Sequence, residues 1–530
     1  MRNKKLQVWL PLIFSLVMIS GMFFGFKLHQ QTGSTKGFFK KDRRSSLQEA
    51  LDLIRTRYVD SIGLDSLQDD AMYEMMNHLD PHSVYIPAMD VGEANEDIIG
   101  NFEGIGVEFN IFEDTVHVLY VVPNGPSDKA GLQIGDRILK VNDSSVVSKT
   151  LPSASIRRMI RGEAGSKVKL TILRANTIQY YYVQRGTIPI PSMDAAYMLD
   201  SATGYIKLNK FSETTYRDFM GAVDALKARN MKGMILDLRG NGGGLVNQAV
   251  NIADEFLDGD KLIVYTEGTN TPKREYRAGK EGVWEKGKLT VLVDELSASA
   301  SEILAGALQD WDRATIVGRR SFGKGLVQEQ YSLSDGSAIR LTVARYFTPL
   351  GRSIQRPYDK GKKLYMEEIL ERYNNGEMLT ADSIQQNKEQ AFTTKNGKKV
   401  YGGGGIMPDV FVPVDTSLYA SSITKLYLDG RFNNFVYQYY INNLPLFQKY
   451  KSPAEFNIAY RNTEDAWNQL VTYAQKDSIN LKNIPQDDKR EVQDRIKAYL
   501  ARFRWRTQGF YEVSNANDEV VKKARQVLYN

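Results

Sequence analysis

Apolar residues change their spacing several times along the 530-residue chain, and each change predicts a different element. Between Val8 and Phe26 no residue is charged, while Arg2, Lys4 and Lys5 precede the run. As a helix this stretch would extend about 28 Å, close to the thickness of a bilayer core. Gly25, Phe26, Lys27 and Leu28, at the end of the run, make a poor signal-peptidase site, so the segment reads as an uncleaved anchor. From Ser46 the pattern becomes amphipathic: Ser46 and Glu49 have capping-box spacing, and Leu47, Ala50, Leu51, Ile54 and Tyr58 fall on one stripe. A second helix is predicted from Leu67 to Leu79, stopped by Asp80-Pro81. Two short helices bury little alone, which suggests packing on a neighbour or a second subunit.

Residues 96–188 carry short β-rich runs, Val116–Val122, Arg137–Val141, Val168–Leu173 and Gln179–Val183, divided by glycine-bearing turns. Beyond Ser192 the order alternates. Strands are predicted at Gly204–Leu208, Gly233–Leu238, Leu262–Tyr265, Leu289–Val293 and Thr315–Val317, with helices at Glu213–Ala228, Asn247–Leu257 and from Ser299. That alternation argues for a layered α/β core. Residues 358–399 turn polar around one helical stretch, Tyr365–Tyr373, and read as a surface insertion, after which Gly402–Gly405 and Val410–Val414 return to the core. The tail is tyrosine-rich and helical, with Val492, Ile496, Tyr499, Leu500 and Phe503 forming an apolar stripe under a basic face. The organisation expected is therefore an anchor or signal over 1–30, a helical region 31–95, a β module 96–188, a core 189–357 plus 400–414, the insertion 358–399 and a helical domain 415–530.

Composition narrows the chemistry. With 42% hydrophobic and 25% charged residues the chain has ordinary globular cores, and 69 basic against 63 acidic residues leave a net charge of +6, no global case for nucleic acid. Cysteine is absent, which excludes disulfides, thiolate metal sites and cysteine nucleophiles. The four histidines, His29, His78, His82 and His117, all precede the segment that looks most like a serine-nucleophile site.

That segment, Ser297-Ala-Ser-Ala-Ser-Glu302, follows the apolar strand Leu289–Val293 and opens a helix whose Ile303, Leu304, Ala307, Leu308 and Trp311 keep helical spacing on one side. At a helix start, unpaired N–H groups and the dipole favour negative charge, so an oxyanion formed there would be stabilised; serines that merely cap the helix are the plain alternative. With no histidine downstream, Lys324 between Gly323 and Gly325 is the available base, and Gln328 is placed to hold its amine. A lysine serves as a base near neutrality only when burial lowers its pKa. Asp237-Leu-Arg-Gly-Asn-Gly-Gly-Gly244 follows another apolar strand, and its glycines can present N–H groups to a substrate carbonyl; a flexible loop is the alternative. No Gly-Lys-Ser/Thr follows, which weakens a phosphate-binding reading.

Together these segments resemble the carboxyl-terminal processing peptidases, the serine-lysine proteases of family S41. The likeness extends through Arg340–Gln355, Gly403–Asp409 and Leu79-Asp-Pro-His-Ser83. It implies a crotonase-like α/β core, Ser299 as nucleophile, Lys324 as general base, Gln328 as its orienting partner, and an oxyanion hole from the N–H of Ala300 and of Gly244, preferred over Gly243. Ser297 and Ser301 become packing or capping residues. Gly104-Ile105-Gly106-Val107, with Gly125-Pro-Ser127, Ala130-Gly-Leu132 and Gly135–Leu139, resembles a PDZ domain, which adds a peptide strand to a sheet edge and holds its terminal carboxylate on backbone N–H groups. Arg161 is a candidate link between this domain and the catalytic site.

The expectation is an exported serine-lysine endopeptidase on the periplasmic side of the inner membrane. It would cleave unfolded or C-terminal segments, use no metal or cofactor, pair as a homodimer and accept substrates directly or through an adaptor protein. The alternatives are an inactive PDZ scaffold at the membrane and a crotonase-like acyl-thioester enzyme. The insertion and tail, lying outside the motifs, are expected to leave the mechanism untouched.

Overall fold

A computed structural model describes residues 4–31, 46–112, 114–148, 150–383, 390–415 and 421–530, in two units, 1–71 and 72–530. The first holds the helices Lys4–Gln31 and Ser46–Arg57. The side chains of Val8, Leu10, Leu12 and Ile13 lie outside the described residues, and among those described no helix is long and apolar enough to cross a membrane. No residue of Ser46–Arg57 is buried, and the next helix, Leu64–Asn77, ends before Asp80-Pro81.

Two sheets make the larger core. In one, the strands Met193–Met198, Thr203–Leu208, Gly233–Asp237, Lys288–Val293, Thr315–Gly318 and Val410–Phe411 lie in that order, parallel except for the first pair. Gly233–Asp237 is wholly buried, as a strand covered on both faces must be, and reads as a continuous apolar run. The second sheet is antiparallel and joins Val84–Ile86, Ala338–Phe347, Leu262–Glu267 and Arg274–Arg277, with Leu326–Ser332 also on Ala338–Phe347. The predicted strand at Leu262 thus exists but belongs to this second sheet, because a run's period gives its geometry and not its partner.

The helix Ala300–Asp310 was expected to pack by one side. All eleven of its residues are buried. Its small residues let neighbours approach closely: a Cβ on Gly306 would lie 3.0 Å from Ile406 and from Thr348. The far face of the parallel sheet is covered by the last helix, Glu519–Tyr529, whose Val520, Val521, Ala524 and Leu528 pack on Ile235, Leu292 and Val317. This part of the tail therefore completes the larger α/β core, while Phe432, Phe435, Phe447, Phe456, Trp467, Val492 and Ile496 form a separate helical core. The long helix Gln486–Ser514 is two helices joined by a kink at Trp505 and Arg506.

The β module is a sheet in the order Val107–Phe112, Thr115–Val121, Arg137–Val141, Lys167–Arg174, Thr177–Gln184, packed on the helix Ser153–Ile160 through Ile156 and Ile160. Its entry and exit, Asn101–Gly104 and Gly186–Pro189, pair antiparallel.

Candidate active site

Ser299 stands where strand Lys288–Val293 gives way to helix Ala300–Asp310, at φ 55° and ψ −116°. A non-glycine residue in that region stores about 1–3 kcal/mol of strain and persists only where its surroundings impose it. The neighbouring serines are tied down. Ser297 Oγ donates to Leu238 O at 2.8 Å, and Ser301 Oγ to Asn241 O at 2.9 Å. Ser299 itself is half-buried.

Glu302, the third residue of the helix, gathers the site. One carboxylate oxygen accepts the N–H of Ser299 at 2.9 Å and of Lys324 at 2.8 Å; the other accepts the N–H of Gly323 at 2.7 Å and the Ser321 hydroxyl at 2.5 Å. From the opposite side Tyr346 donates its hydroxyl to Ser299 O at 3.2 Å and contacts Lys324 O. Ser299 and Lys324 are thus brought together by a shared carboxylate and a shared phenol. Burial pushes the Glu302 carboxyl up to about 7 against the pull of its four donors. Burial also lowers the Lys324 amine, and the positive charge of Arg340 lowers it further, while Glu302 and Asp80 oppose the shift. Among the described residues the Lys324 amine makes no ion pair or hydrogen bond.

The glycine loop lies against the serine. A Cβ on Gly243 would sit 2.7 Å from Ser299 Cβ, and one on Gly244 would sit 2.2 Å from Phe211 O. The Gly243 N–H is spent on Asn241 Oδ1 at 2.9 Å. The N–H groups of Ala300 and Gly244 have no hydrogen-bond partner among the described residues. The loop is anchored by Asp237 and Arg239, which pair at 2.6 Å, and Arg239 continues to Asp518 at 2.9 Å. Burial raises the Asp237 carboxyl, but Arg239 and Lys207 outweigh it and hold the group ionised.

Gln328 lies on Leu326–Ser332 and donates to Thr342 Oγ1 at 3.2 Å; its side chain makes no hydrogen bond to Lys324 among the described residues. Thr342 donates to Asp80 Oδ1 at 3.1 Å, and Asp80 accepts the Ser83 hydroxyl at 2.5 Å. The Asp-Pro-His-Ser segment is thereby locked to the strand beside the lysine loop. His82, at its centre, hydrogen-bonds through Nε2 to Tyr365 Oη at 2.9 Å, and burial and then the Lys324 charge bring its pKa down to about 4. His82 is thus neutral near the lysine.

Tyr365 comes from the segment 358–399, and here the expectation fails. The helix Lys362–Asn374 of that segment does reach the catalytic motifs. Arg372 donates to Ser321 O at 2.8 Å and Phe322 O at 3.2 Å, and Arg356 lies between the rings of Phe322 and Tyr365 at 4.0 and 3.9 Å. Two of the segment's charges turn inward, while lysines such as Lys363 stay exposed: Glu368 meets Arg320 and Arg356 of the core as well as Arg372. Ser299-x-x-Glu302 has capping-box spacing, the one local sequence signal that points to Glu302. No such local signal marks Tyr365 or Arg372.

In the β module a groove of about 280 Å³ opens between Val107–Phe112 and Ser153–Ile160, lined by Gly104, Ile105, Gly106, Val107, Phe109 and Ile111 on one side and Arg157, Ile160 and Arg161 on the other. Val107–Phe112 is an edge strand, and the N–H groups of Ile105 and Gly106 have no partner among the described residues. Arg161 donates to Glu96 at 2.9 Å and lies over the Phe102 ring at 4.7 Å. It joins the groove to the helix Val91–Ile99.

The family model for peptidase family S41 matches residues 202–360, that for the PDZ domain residues 117–174, and one for a family of unknown function residues 422–506. The carboxy-terminal processing protease CtpA of Bacillus subtilis is 34% identical over 375 residues, 70% of this chain and 78% of that protein. The carboxy-terminal-processing protease of Bartonella bacilliformis is 34% identical over 306 residues, 57% of this chain and 70% of its own. Among solved structures, the photosystem II D1 C-terminal processing protease matches at 26% identity and a TM-score of 0.37, covering 70% of this chain and 87% of that one. The chain belongs to the carboxy-terminal processing proteases of peptidase family S41 and carries a PDZ domain.

Proposed function

We propose that the protein is a serine-lysine endopeptidase with a crotonase-like core, in which Ser299 is the nucleophile and Lys324 the general base. The observation that carries this reading is the convergence of the Ser299 and Lys324 backbones on Glu302 and Tyr346. The neutral Lys324 amine takes the Ser299 proton as Oγ attacks the scissile carbonyl. The oxyanion binds the N–H groups of Ala300 and Gly244, which are supplied without a competing partner. Collapse expels the amine product, which receives the proton from Lys324. Water then gives up a proton to the Lys324 amine as it attacks the acyl-enzyme carbonyl, and Ser299 Oγ leaves with that proton, releasing the acid product and restoring both groups. Gln328 steadies the site through Thr342 and Asp80 rather than by bonding Lys324.

Substrates are unfolded proteins with free C-termini, whose last residues extend the edge strand Val107–Phe112 and place the carboxylate on the N–H groups of Ile105 and Gly106. The apolar run Val8–Phe26 anchors the chain with its catalytic part on the periplasmic side of the inner membrane. The exposed Leu47, Leu53 and Tyr58 serve a homodimer contact, and an adaptor protein delivers some substrates. Incubation with unfolded casein and a fluorophosphonate probe, followed by mapping of the labelled residue, tests the assignment. Label on Ser299, lost in Lys324→Ala, is expected; label on another serine would refute it.

A further inference from the structure

Four successive peptide planes run from Ser321 to Gly325, and each is held at both its carbonyl and its N–H. The Ser321 carbonyl accepts from Arg372 at 2.8 Å and the Phe322 N–H donates to Ser297 O at 2.9 Å. The Phe322 carbonyl accepts from Arg372 at 3.2 Å and the Gly323 N–H donates to Glu302 at 2.7 Å. The Gly323 carbonyl accepts from the Arg356 N–H at 3.0 Å and the Lys324 N–H donates to Glu302 at 2.8 Å. The Lys324 carbonyl meets the Tyr346 hydroxyl, and the Gly325 N–H donates to Gln355 Oε1 at 2.8 Å. A rigid planar unit fixed at both ends cannot rotate, so this arrangement sets the direction in which the lysine side chain leaves the loop.

Two of the four carbonyl holds come from Arg372, on the helix Lys362–Asn374 that lies outside the matched peptidase segment. Its side chain is 2% exposed and is aimed by Glu368, which accepts from Nε at 3.1 Å and Nη2 at 3.1 Å. Glu368 also holds Arg320 and Arg356, and Glu377 takes Arg320 at 2.5 Å. A buried cluster of this kind is a poor device for stability, since packed apolar side chains of similar volume do as well or better. What it supplies is direction: the planar fork of an arginine can serve two carbonyls and a carboxylate at once, whereas a lysine ammonium cannot.

We propose that Arg372 is a positioning residue for the general base, acting from the inserted helix to fix the peptide planes that present Lys324 to Ser299. The proposal rests on the reading of Lys324 as the base. When the planes are freed, the amine loses its alignment and gains water, so that catalysis slows and the neutral form is reached only at higher pH.

The test compares the full chain with Arg372→Lys and Lys324→Ala on an unfolded casein substrate across pH, counting active sites by fluorophosphonate titration and following folding by thermal melting. Arg372→Lys is expected to lower kcat per folded site by about 10- to 100-fold with KM little changed, the cost of a misplaced catalytic group. Its rising kcat limb should move to higher pH. Parental kcat and an unmoved limb would overturn the proposal, as would a loss of activity that only tracks the folded fraction. If Arg372→Lys does not fold, Glu368→Gln, which keeps the shape of the side chain that aims Arg372, decides by the same two readouts. Parental activity in Lys324→Ala would instead refute the base assignment; an inactive Lys324→Ala beside an unaffected Arg372→Lys would refute the positioning role alone.

Discussion

Glu302 accepts the backbone N–H of Lys324 at 2.8 Å and forms no ion pair with its ammonium. A carboxylate in direct contact with the amine would stabilise its charged form and work against the role proposed for Lys324. Spent on four N–H and O–H dipoles, the same charge holds the loop in place, and it acts on the amine only from a distance, where burial and Arg340 outweigh it.

A pH signature follows for folding. The Glu302 carboxyl rises from 4.5 to about 7 in the folded chain. A raised carboxyl pKa contributes stability that is complete below 4.5 and is lost as pH rises through 7, an effect of about 3 kcal/mol. Glu302→Gln, which cannot titrate, should lack this decline between pH 4.5 and 7. Its amide N–H₂ would also face two donors, costing about 2–4 kcal/mol for the unmatched groups. Urea denaturation of both proteins across that range measures the difference; parallel curves would refute the ionisation of Glu302.

Arg340 acts on the lysine through charge. After burial it is the next largest influence lowering the Lys324 pKa. Arg340→Gln should therefore let the amine hold its proton to higher pH and reduce kcat near neutrality by about 2- to 10-fold, with recovery at alkaline pH. A pH-independent loss would assign Arg340 to packing instead.

Ser299 and Lys324 stand out in the sequence because each lies in a short segment whose chemistry is local, serines at a strand-to-helix turn and a lysine between glycines, and the structure brings their backbones onto Glu302 and Tyr346. The preference for Gly244 over Gly243 came from family resemblance, and the pairing of Gly243 with Asn241 gives it a geometric reason. His82 and Tyr365 meet across 283 residues, and nothing in either neighbourhood announces the other. The inserted segment was misjudged for a related reason. Polarity alone does not tell a solvated charge from one that turns inward to a distant partner, as Glu368 does toward Arg356 and Arg372.

The glycine loop offers a contrast between adjacent positions. Gly243 has φ 101° and would place a Cβ 2.7 Å from Ser299 Cβ and 2.8 Å from Ala298 O, whereas a Cβ on Gly242 meets nothing within 4 Å. Gly243→Ala should lower kcat by about 100-fold or more by displacing Ser299 from the oxyanion donors proposed for it. Gly242→Ala should stay within about twofold, since it adds a methyl group to open space. Steady-state kinetics on a fluorogenic peptide distinguishes them, and equal losses in the two would remove the steric argument.

The PDZ domain is held to the C-terminal helices through the strand that also borders its groove. Glu108 accepts from Arg502 and Arg506 at 2.6 Å each, and Phe112 stacks on Tyr437 with ring centroids 5.3 Å apart. Arg506 pays for its reach with φ 63°, at the kink that splits the long helix. Burial raises the Glu108 carboxyl, but the two arginines outweigh it and leave it below its ordinary value. The contribution is therefore present above the unfolded value near 4.5 and is lost as pH falls through the lower folded one. With all three side chains about a third exposed, water screens the pairs, and Glu108→Gln should cost about 1 kcal/mol at neutral pH. The parent's advantage should shrink with added salt and disappear in acid, while affinity for a C-terminal peptide stays near the parent's because Glu108 is not among the residues lining the groove. Thermal melts at several salt concentrations, paired with peptide titration, test both halves; a large loss of peptide affinity would mean that the clamp and the groove are one device.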